Sequence, residues 1–129
     1  MVIISAEPID PAKVYDLIAR SSAGSVVLHY AVVKPLAGAD GTTSYIDYTA
    51  NADSDAELRG IAAHLASEFS VEDILLIRRT GRLGLGEIIS LIAASAPGSE
   101  EAFEACKRGI GRLKKMRTIV KQEVCSQGR

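Results

Sequence analysis

Residue types that often carry chemistry are scarce in this sequence. Its 129 residues include no Trp, 2 Cys and 2 His, and aromatic residues make up 5% of the chain. Cys106 and Cys125 lack Cys-x-x-Cys spacing, and no histidine lies close to either in the sequence. Zinc sites need such clusters, so we expect no metal site and no cofactor. Cys106 falls on an apolar helical stripe and is expected in the core, whereas Cys125 is expected to be a free thiol in a polar tail.

Long hydrophobic runs are also absent. The longest apolar stretches reach about ten residues, which is too short to span a bilayer. Residues 1–4 lack the basic start and long apolar core of a signal peptide. We therefore expect a cytoplasmic protein that does not enter a membrane. The chain length, with 47% hydrophobic and 24% charged residues, predicts one globular domain over residues 1–129.

The net charge of −1 conceals an uneven distribution of charged residues. Residues 1–73 carry 4 basic and 11 acidic side chains, whereas residues 74–129 carry 11 basic and 5 acidic ones. Between positions 105 and 122 there are seven basic residues and no acidic one: Lys107, Arg108, Arg112, Lys114, Lys115, Arg117 and Lys121. Such a segment is either a local anion site or a solvated helix face. Nucleic-acid binding is not favoured, because few aromatic side chains are available to stack on bases.

The apolar periodicity predicts the element order β-α-β-β-α-β-β-α-β. Strands are expected over residues 3–7, 25–34, 43–49, 74–77, 87–96 and 118–124, with a loop over residues 35–42. The three helices begin near Asp10, Ser54 and Ser99, and Ser54 with Glu57 matches a capping box. Residues 81–86 contain three glycines but match no phosphate-binding loop, so a turn is expected there. Paired strands between helices favour an α+β fold with a mixed sheet.

Two pairs of basic residues are candidates for a site. Lys114 and Lys121 lie on either side of a helix-to-strand junction, so they could converge at one pocket. A lysine in a partly dry, cationic pocket can act as an acid, a base or a nucleophile; the alternative is two surface lysines. Arg78 and Arg79 end a strand, and the planar guanidinium suits phosphate or carboxylate. Because neighbouring side chains of a strand point to opposite faces, at most one of these arginines faces a given pocket.

Six short motifs stand out along the chain. They are Glu7-Pro8-Ile9-Asp10, Gly24-Ser25-Val26-Val27, Arg79-Thr80-Gly81 followed by Gly86-Glu87, Ala102-Phe103-Glu104-Ala105, Leu113-Lys114, and Val120-Lys121-Gln122-Glu123. They occur in the order found in the large, catalytic subunit of molybdopterin synthase, and the chain resembles this MoaE-like family over nearly its whole length. The last two resemble the family signature of Leu-Lys and, seven residues after that lysine, Trp-Lys-x-Glu. The resemblance implies an α/β-hammerhead fold and a homodimer.

The resemblance also implies an activity. Each large subunit of the family receives the C-terminal Gly-Gly tail of a small, ubiquitin-like (MoaD-like) subunit, and this tail carries a thiocarboxylate. Sulfur passes to a pterin phosphate substrate, cyclic pyranopterin monophosphate, and builds the dithiolene that later binds molybdenum. The family's two catalytic lysines would correspond to Lys114, as acid/base or positioning residue, and Lys121, as a second cation. Lys34, Arg78 and Arg79 would contact the substrate anions.

The chain departs from the family at several positions. Lys34 stands where the family has arginine, and Arg78 takes the place of the first histidine in its His-Arg-x-Gly motif. Gly98-Ser99 stands where the family has a His-Arg pair that helps to hold substrate. Thr118 and Val120 replace the proline and tryptophan of the signature. These differences leave a second hypothesis open, a binding module that dimerises or holds a Gly-Gly tail without turnover.

Overall fold

The computed structural model describes residues 1–38 and 41–126, which form two sheets and three α-helices. The elements are β1 (Val2–Ser5), α1 (Val14–Leu17), β2 (Ser25–Val32), β3 (Ala37–Gly38), β4 (Gly41–Ala50), α2 (Ser54–Glu68), β5 (Asp73–Arg79), β6 (Gly81–Gly84), β7 (Ile88–Ala96), α3 (Ser99–Lys114) and β8 (Ile119–Ser126). All predicted strands and helices are present, and β3 and β6 are additional. Parts of the predicted loop and polar tail lie outside the described residues. Within the described ranges, no helix is long and apolar enough to cross a membrane.

The first sheet is mixed and has the strand order β1-β5-β7-β2. β1 runs parallel to β5, and β7 is antiparallel to both β5 and β2. The apolar runs of β5 and β7 are buried on both faces. Leu76 and Ile92 pack in the cluster beneath α2 and α3, whereas Leu75 and Leu91 pack with α1 on the opposite face. The predicted α+β fold with a mixed sheet is therefore confirmed.

The second sheet is antiparallel and is built around β4, which pairs with β3, β6 and β8. The sequence predicted a turn over residues 81–86, but Gly81–Gly84 forms strand β6, so the prediction was wrong for these four residues. It was right for residues 85 and 86, which form a turn. Gly81 and Gly84 pair with Tyr48 and Tyr45 of β4, and the turn follows at Gly86, whose φ is +83°. The physical reason is that β4 spans 10 residues, and its backbone N–H and C=O groups need partners along this edge.

One helix start matches its prediction and another does not. The Asp10 carboxylate accepts a hydrogen bond from the backbone N–H of Ala12 at 3.0 Å, as expected for an N-cap. It caps a 3₁₀ turn, Pro11–Lys13, that leads directly into α1. The predicted capping box at Ser54 and Glu57 was wrong, because the N-cap is Asp53 and it makes no side-chain capping bond. Ser54 Oγ instead donates to Thr118 O at 2.9 Å. Partners from another part of the chain have replaced the local hydrogen bonds of a capping box.

The two cysteines are free thiols with different surroundings. Cys106 lies in the core as predicted, where its Sγ donates to Val27 O at 3.4 Å. Burial raises the pKa of the Cys106 thiol to about 11. Cys125 was expected in a polar tail, but it belongs to β8 and is half-buried opposite Thr43 of β4. β8 extends to Ser126, further than predicted, because it pairs with β4 along nearly the whole length of that strand.

Candidate functional site

A cavity of about 600 Å³ lies where the end of α3 and the start of β8 meet β5 and the segment after β2. Four cationic residues line it: Lys34, Arg78, Lys114 and Lys121. Apolar side chains from β2, β4 and β7 form much of the remaining wall. The structure thus brings Lys114 and Lys121 to one cavity although they belong to different secondary-structure elements.

Buried apolar residues on either side of the α3–β8 connection fix where the two lysines emerge. Leu113, the penultimate residue of α3, is 3% exposed, and Ile119, the first residue of β8, is 8% exposed. Leu113 is the last buried residue of α3, so the Lys114 side chain extends from the helix just beyond the part that packs in the core. Lys121 lies two residues after Ile119, on the same face of the strand. In the β4–β8 ladder it is directly opposite Tyr48, which also lines the cavity.

Arg78 is the buried cation of this cavity, with 7% of its surface exposed. Its Nη1 donates to Leu113 O at 3.3 Å, and its guanidinium carbon lies 5.3 Å from the centre of the Tyr48 ring. Its Nε is buried and has no hydrogen-bond partner among the described residues. Burial lowers the pKa of Arg78, but a guanidinium stays protonated in proteins. A buried charge with an unused donor favours the binding of an anion beside it.

Arg79 points away from the cavity. Its Nη1 forms an ion pair with Glu87 Oε1 at 3.0 Å, and its Nε donates to Ala6 O at 3.3 Å. The opposite orientations of Arg78 and Arg79 follow from the alternation of side chains along β5. Of the five residues that the sequence suggested for the site, Lys34, Arg78, Lys114 and Lys121 meet at the cavity, and Arg79 does not.

The three lysines of the cavity are exposed and form no ion pair within residues 1–38 and 41–126. Other cations of the basic second half are neutralised by the acidic first half. Glu68 of α2 pairs with Arg108, at 3.0 Å, and with Arg112 of α3. Asp47 pairs with Arg82 at 3.0 Å. The charge asymmetry of the sequence is thus partly cancelled by these pairs, while the cavity keeps its positive charge.

Sequence reasoning assigned no role to Tyr48 and Glu123, which also line the cavity. Desolvation raises the pKa of the Tyr48 hydroxyl, Arg78 opposes this shift, and Glu123 adds to it. Glu123 Oε2 accepts a hydrogen bond from Thr43 Oγ1. Thr43 Oγ1 in turn accepts from the backbone N of Leu36, which also lines the cavity, at 3.2 Å. The alternation of β4 could have indicated Tyr48, since it lies on the same face as the buried Ile46.

Two of the positions at which the chain departs from the family pattern do not contribute to the cavity. One is the Gly98-Ser99 pair, which lies far from the lysines, and the other is Val120, which is exposed. Gly98 and Ser99 are at the N-terminal end of α3, whereas Lys114 is its last residue. A helix of this length rises about 22 Å, so these two residues are not part of the cavity in this chain. Val120, at the position of the signature tryptophan, has 65% of its surface exposed. The positive charge of the cavity therefore comes from its three lysines and Arg78.

Together, the fold and the cavity define an α+β protein with a cavity lined by four cationic side chains. A family model described as "MoaE protein" matches residues 4–116 of the chain. The chain therefore belongs to the MoaE protein family. The matched range includes Lys34, Arg78 and Lys114 and ends before Lys121. The resemblance inferred from the sequence motifs is confirmed.

Several curated relatives are named molybdopterin synthase catalytic subunit. The one from Pyrococcus abyssi is 35% identical over 72 residues, which are 56% of this chain and 49% of the relative. The one from Caulobacter vibrioides is 32% identical over 75 residues, 58% of this chain and 50% of the relative. The chain thus matches about half the length of these two proteins. The one from Cereibacter sphaeroides is 29% identical over 129 residues, 98% of this chain and 87% of the relative.

Solved structures confirm the fold. Molybdopterin synthase from Staphylococcus aureus superimposes with a TM-score of 0.88 at 25% identity, over 97% of this chain and 91% of that one. A complex of subunits 1 and 2 of molybdopterin-converting factor from Helicobacter pylori gives a TM-score of 0.75 at 11% identity, over 99% of this chain and 87% of that one. The second likeness concerns the fold alone.

Proposed function

We propose that this chain is the catalytic subunit of a molybdopterin synthase, formed by residues 1–129 as a single domain. It binds the C-terminal Gly-Gly tail of a small ubiquitin-like subunit and transfers the thiocarboxylate sulfur of that tail to cyclic pyranopterin monophosphate. The observation that carries the proposal is the meeting of Lys114 and Lys121 with Arg78 in one cavity of a MoaE family member. Both ligands are anions, and the cavity offers cations that have no acidic partner among the described residues.

The reaction needs charge stabilisation and a proton donor. Each transfer forms a bond from sulfur to a substrate carbon, and an oxygen leaves that carbon. The acyl carbon–sulfur bond of the tail then breaks, and water supplies the oxygen that makes the small subunit's terminus a carboxylate again. We assign to the Lys114 ammonium the proton that the departing oxygen receives. We assign to Lys121 the stabilisation of negative charge that develops on the thioester oxygen.

Arg78 and Lys34 supply the remaining anion contacts in this proposal. The Arg78 guanidinium has a free Nε donor and is held in place by Leu113 O, so it is preorganised for a phosphate oxygen. Lys34 is exposed and lines the cavity, where it provides a positive charge without the planar fork of arginine. Lys34 stands where the family has arginine, so one guanidinium is missing at that position. The buried guanidinium of Arg78 supplies a donor in its place. This arrangement favours an active enzyme over a binding module without turnover.

The direct test is reconstitution of sulfur transfer. The protein is mixed with cyclic pyranopterin monophosphate and a thiocarboxylated small subunit, and the dithiolene product is measured. We expect product only when the small subunit ends in the thiocarboxylated Gly-Gly, and none when the last glycine is deleted. A binding module would retain the small subunit in a Gly-Gly-dependent pull-down and form no product. Absence of product with every cognate small subunit would overturn the enzymatic proposal.

We also propose that the chain forms a homodimer through β2. Among the described residues β2 pairs only with β7, so its other edge is open. Leu28, Tyr30 and Val32 alternate along one face of this strand and are each at least 40% exposed. An open edge strand with exposed apolar side chains is typical of a surface that another chain covers. Sedimentation equilibrium should give a dimer for the wild type and a monomer for Tyr30→Glu, and a monomeric wild type would refute the proposal.

A further inference from the structure

A four-residue connection, residues 115–118, separates the two lysines of the cavity. Lys114 is the last residue of α3, and Lys121 is the third residue of β8. Their side chains are long and exposed, so their relative position depends on how firmly the backbone between them is held. Thr118, the last residue of this connection, has hydrogen bonds on its N–H, its hydroxyl and its carbonyl oxygen.

All these bonds to Thr118 come from the start of α2 or the segment just before it. Glu57 Oε1 accepts from Thr118 N at 3.0 Å and from Thr118 Oγ1 at 2.6 Å. Both carboxylate oxygens of Glu57 also accept from Arg117 N, at 3.1 and 3.0 Å. Ser54 Oγ and Asn51 N donate to Thr118 O at 2.9 and 3.1 Å. The two residues that resemble a capping box thus serve to fasten the connection between the lysines.

Thr118 stands where the family resemblance places a proline. A proline has no N–H and no hydroxyl, so it could donate neither of the two bonds that Thr118 makes to Glu57. It would restrict the backbone through its ring instead. In this chain the hydrogen bonds from α2 take over that restriction. Glu57 does not line the cavity, so an anion bound there does not contact it. The negative charge of Glu57 also acts at a distance on Arg78, and removing that charge alone would favour an anion rather than weaken its binding.

We propose that Glu57 is a positioning residue, which acts through Thr118 to hold Lys114 and Lys121 in the geometry that binds an anion. This role rests on the proposed function only in that the lysines form the anion site. Ser54 supports it from the carbonyl side, with a neutral hydrogen bond that is weaker than those of the carboxylate. Because the bonds join α2 to the α3–β8 connection, they fix the backbone between the two lysines.

The experiment compares Glu57→Gln with Glu68→Gln. The Glu57→Gln side chain would present an amide group toward the Arg117 and Thr118 donors, which a carboxamide cannot satisfy as two carboxylate oxygens do. Glu68 belongs to the same helix and bonds two arginines of α3, but it does not touch the connection or the cavity. It is therefore a control for the loss of a carboxylate from α2. Thr118→Val, which removes only the hydroxyl bond, is the second test variant and keeps the side-chain shape.

Two measurements are made on each variant. The first is the backbone order of residues 114–121 by ¹⁵N relaxation; in Glu57→Gln the order parameters should fall from about 0.85 toward about 0.6, and in Glu68→Gln they should not change. The second is the affinity for pyrophosphate, which should weaken by about fivefold or more in Glu57→Gln and less in Thr118→Val. The double variant Glu57→Gln/Thr118→Val should bind no more weakly than Glu57→Gln alone, since the two residues share a bond.

The outcomes separate this proposal from the proposed function. Unchanged backbone order in Glu57→Gln would overturn the positioning role whatever the anion affinity. Equal loss of pyrophosphate affinity in Glu57→Gln and Glu68→Gln would also overturn it, because the effect would then be general destabilisation. A loss of order confined to Glu57→Gln and Thr118→Val supports the role. If residues 114–121 of the wild type are ordered and lose this order in Glu57→Gln, but the wild type forms no dithiolene, the proposed function fails while the positioning role stands.

Discussion

Arg78 donates a hydrogen bond from Nη1 to the backbone carbonyl oxygen of Leu113, 35 residues further along the chain. Leu113 is the residue before Lys114, so this bond joins the buried end of β5 to the helix end that carries the first lysine of the cavity. It adds a partner to a carbonyl group in the last turn of the helix, where the regular helical bonds run out. The same guanidinium keeps its Nε free of any partner among the described residues. Arg78 therefore both supports the helix end that carries Lys114 and contributes positive charge to the cavity.

The first prediction concerns the two adjacent arginines. Arg78→Met should weaken pyrophosphate binding roughly tenfold, because a buried, charge-assisted donor is lost. Arg78→Lys should recover only part of this affinity, since an ammonium lacks the planar fork. Isothermal titration calorimetry gives the affinities.

Arg79→Met is the matched control, because Arg79 pairs with Glu87 on the other face of the sheet. It should lower the melting temperature without weakening the binding of pyrophosphate. Equal losses of affinity in the Arg78→Met and Arg79→Met variants would contradict the assignment of Arg78 to the cavity.

The second prediction concerns acid stability. Desolvation acts to raise the pKa of the Glu57 carboxyl, but hydrogen bonds from Thr118 and Arg117 outweigh it and hold the pKa below the ordinary 4.5. A lowered folded-state pKa stabilises the protein above the unfolded-state value, and this contribution is lost as the pH falls through the folded-state pKa. The free energy of unfolding should therefore decrease below about pH 4.5.

Urea unfolding of the wild type and Glu57→Gln between pH 3 and pH 7 measures this contribution. The difference in free energy of unfolding between the two proteins should be largest at pH 7 and should shrink toward pH 3. A difference that stays constant with pH would show that the Glu57 charge does not contribute.

The third prediction compares two glycines of α3. A Cβ at Gly109 would overlap Ile92 Cδ1 and lie 3.0 Å from Leu65 Cδ1, whereas one at Gly111 would meet nothing within 4 Å. Gly111→Ala should stabilise the protein by about 0.5–1 kcal/mol, because alanine favours the helix. Gly109→Ala should be less stable than Gly111→Ala by about 1–3 kcal/mol, because the core there has no room. Denaturant unfolding decides, and equal stabilities would refute the close packing of α3 on β7.

The fourth prediction concerns thiol reactivity. The Cys106 thiol is buried and its pKa is raised to about 11, so little thiolate forms at pH 8. Labelling of native protein with iodoacetamide, followed by peptide mass spectrometry, should modify Cys125 before Cys106. Denaturant should make the two sites react at similar rates. Rapid labelling of Cys106 in the native protein would place it outside the core.

The regular elements were predictable because their apolar patterns are strong. The buried apolar runs of β5 and β7 predict strands without information from the rest of the chain. The alternation of side chains along a strand also predicted correctly that Arg78 and Arg79 lie on opposite faces of β5. The short strand β6 was missed because its glycines carry a turn signal, and only pairing with β4 makes the segment extended. Its structure is decided by a partner that is distant in the sequence.

The lysines of the cavity could be predicted from the sequence, but the residues that surround and position them could not. Lys114 and Lys121 are indicated by a signature, and their meeting follows from the helix-to-strand junction. The role of Glu57 was not predictable, since its spacing from Ser54 favours a local cap and the competing partner, Thr118, is 61 residues away. Tyr48 was missed because the alternation of β4 indicates its face but does not indicate that Lys121 will lie opposite it.

The catalytic role of Lys114 is tested by the rate of dithiolene formation in Lys114→Ala and Lys115→Ala, each supplied with thiocarboxylated small subunit and cyclic pyranopterin monophosphate. Lys115 is the next residue, exposed and outside the cavity, so it controls for the loss of a nearby charge. We expect Lys115→Ala to keep the wild-type rate and Lys114→Ala to lose about 100-fold or more, the usual contribution of a general acid. A Lys114→Ala variant as fast as Lys115→Ala would contradict this role.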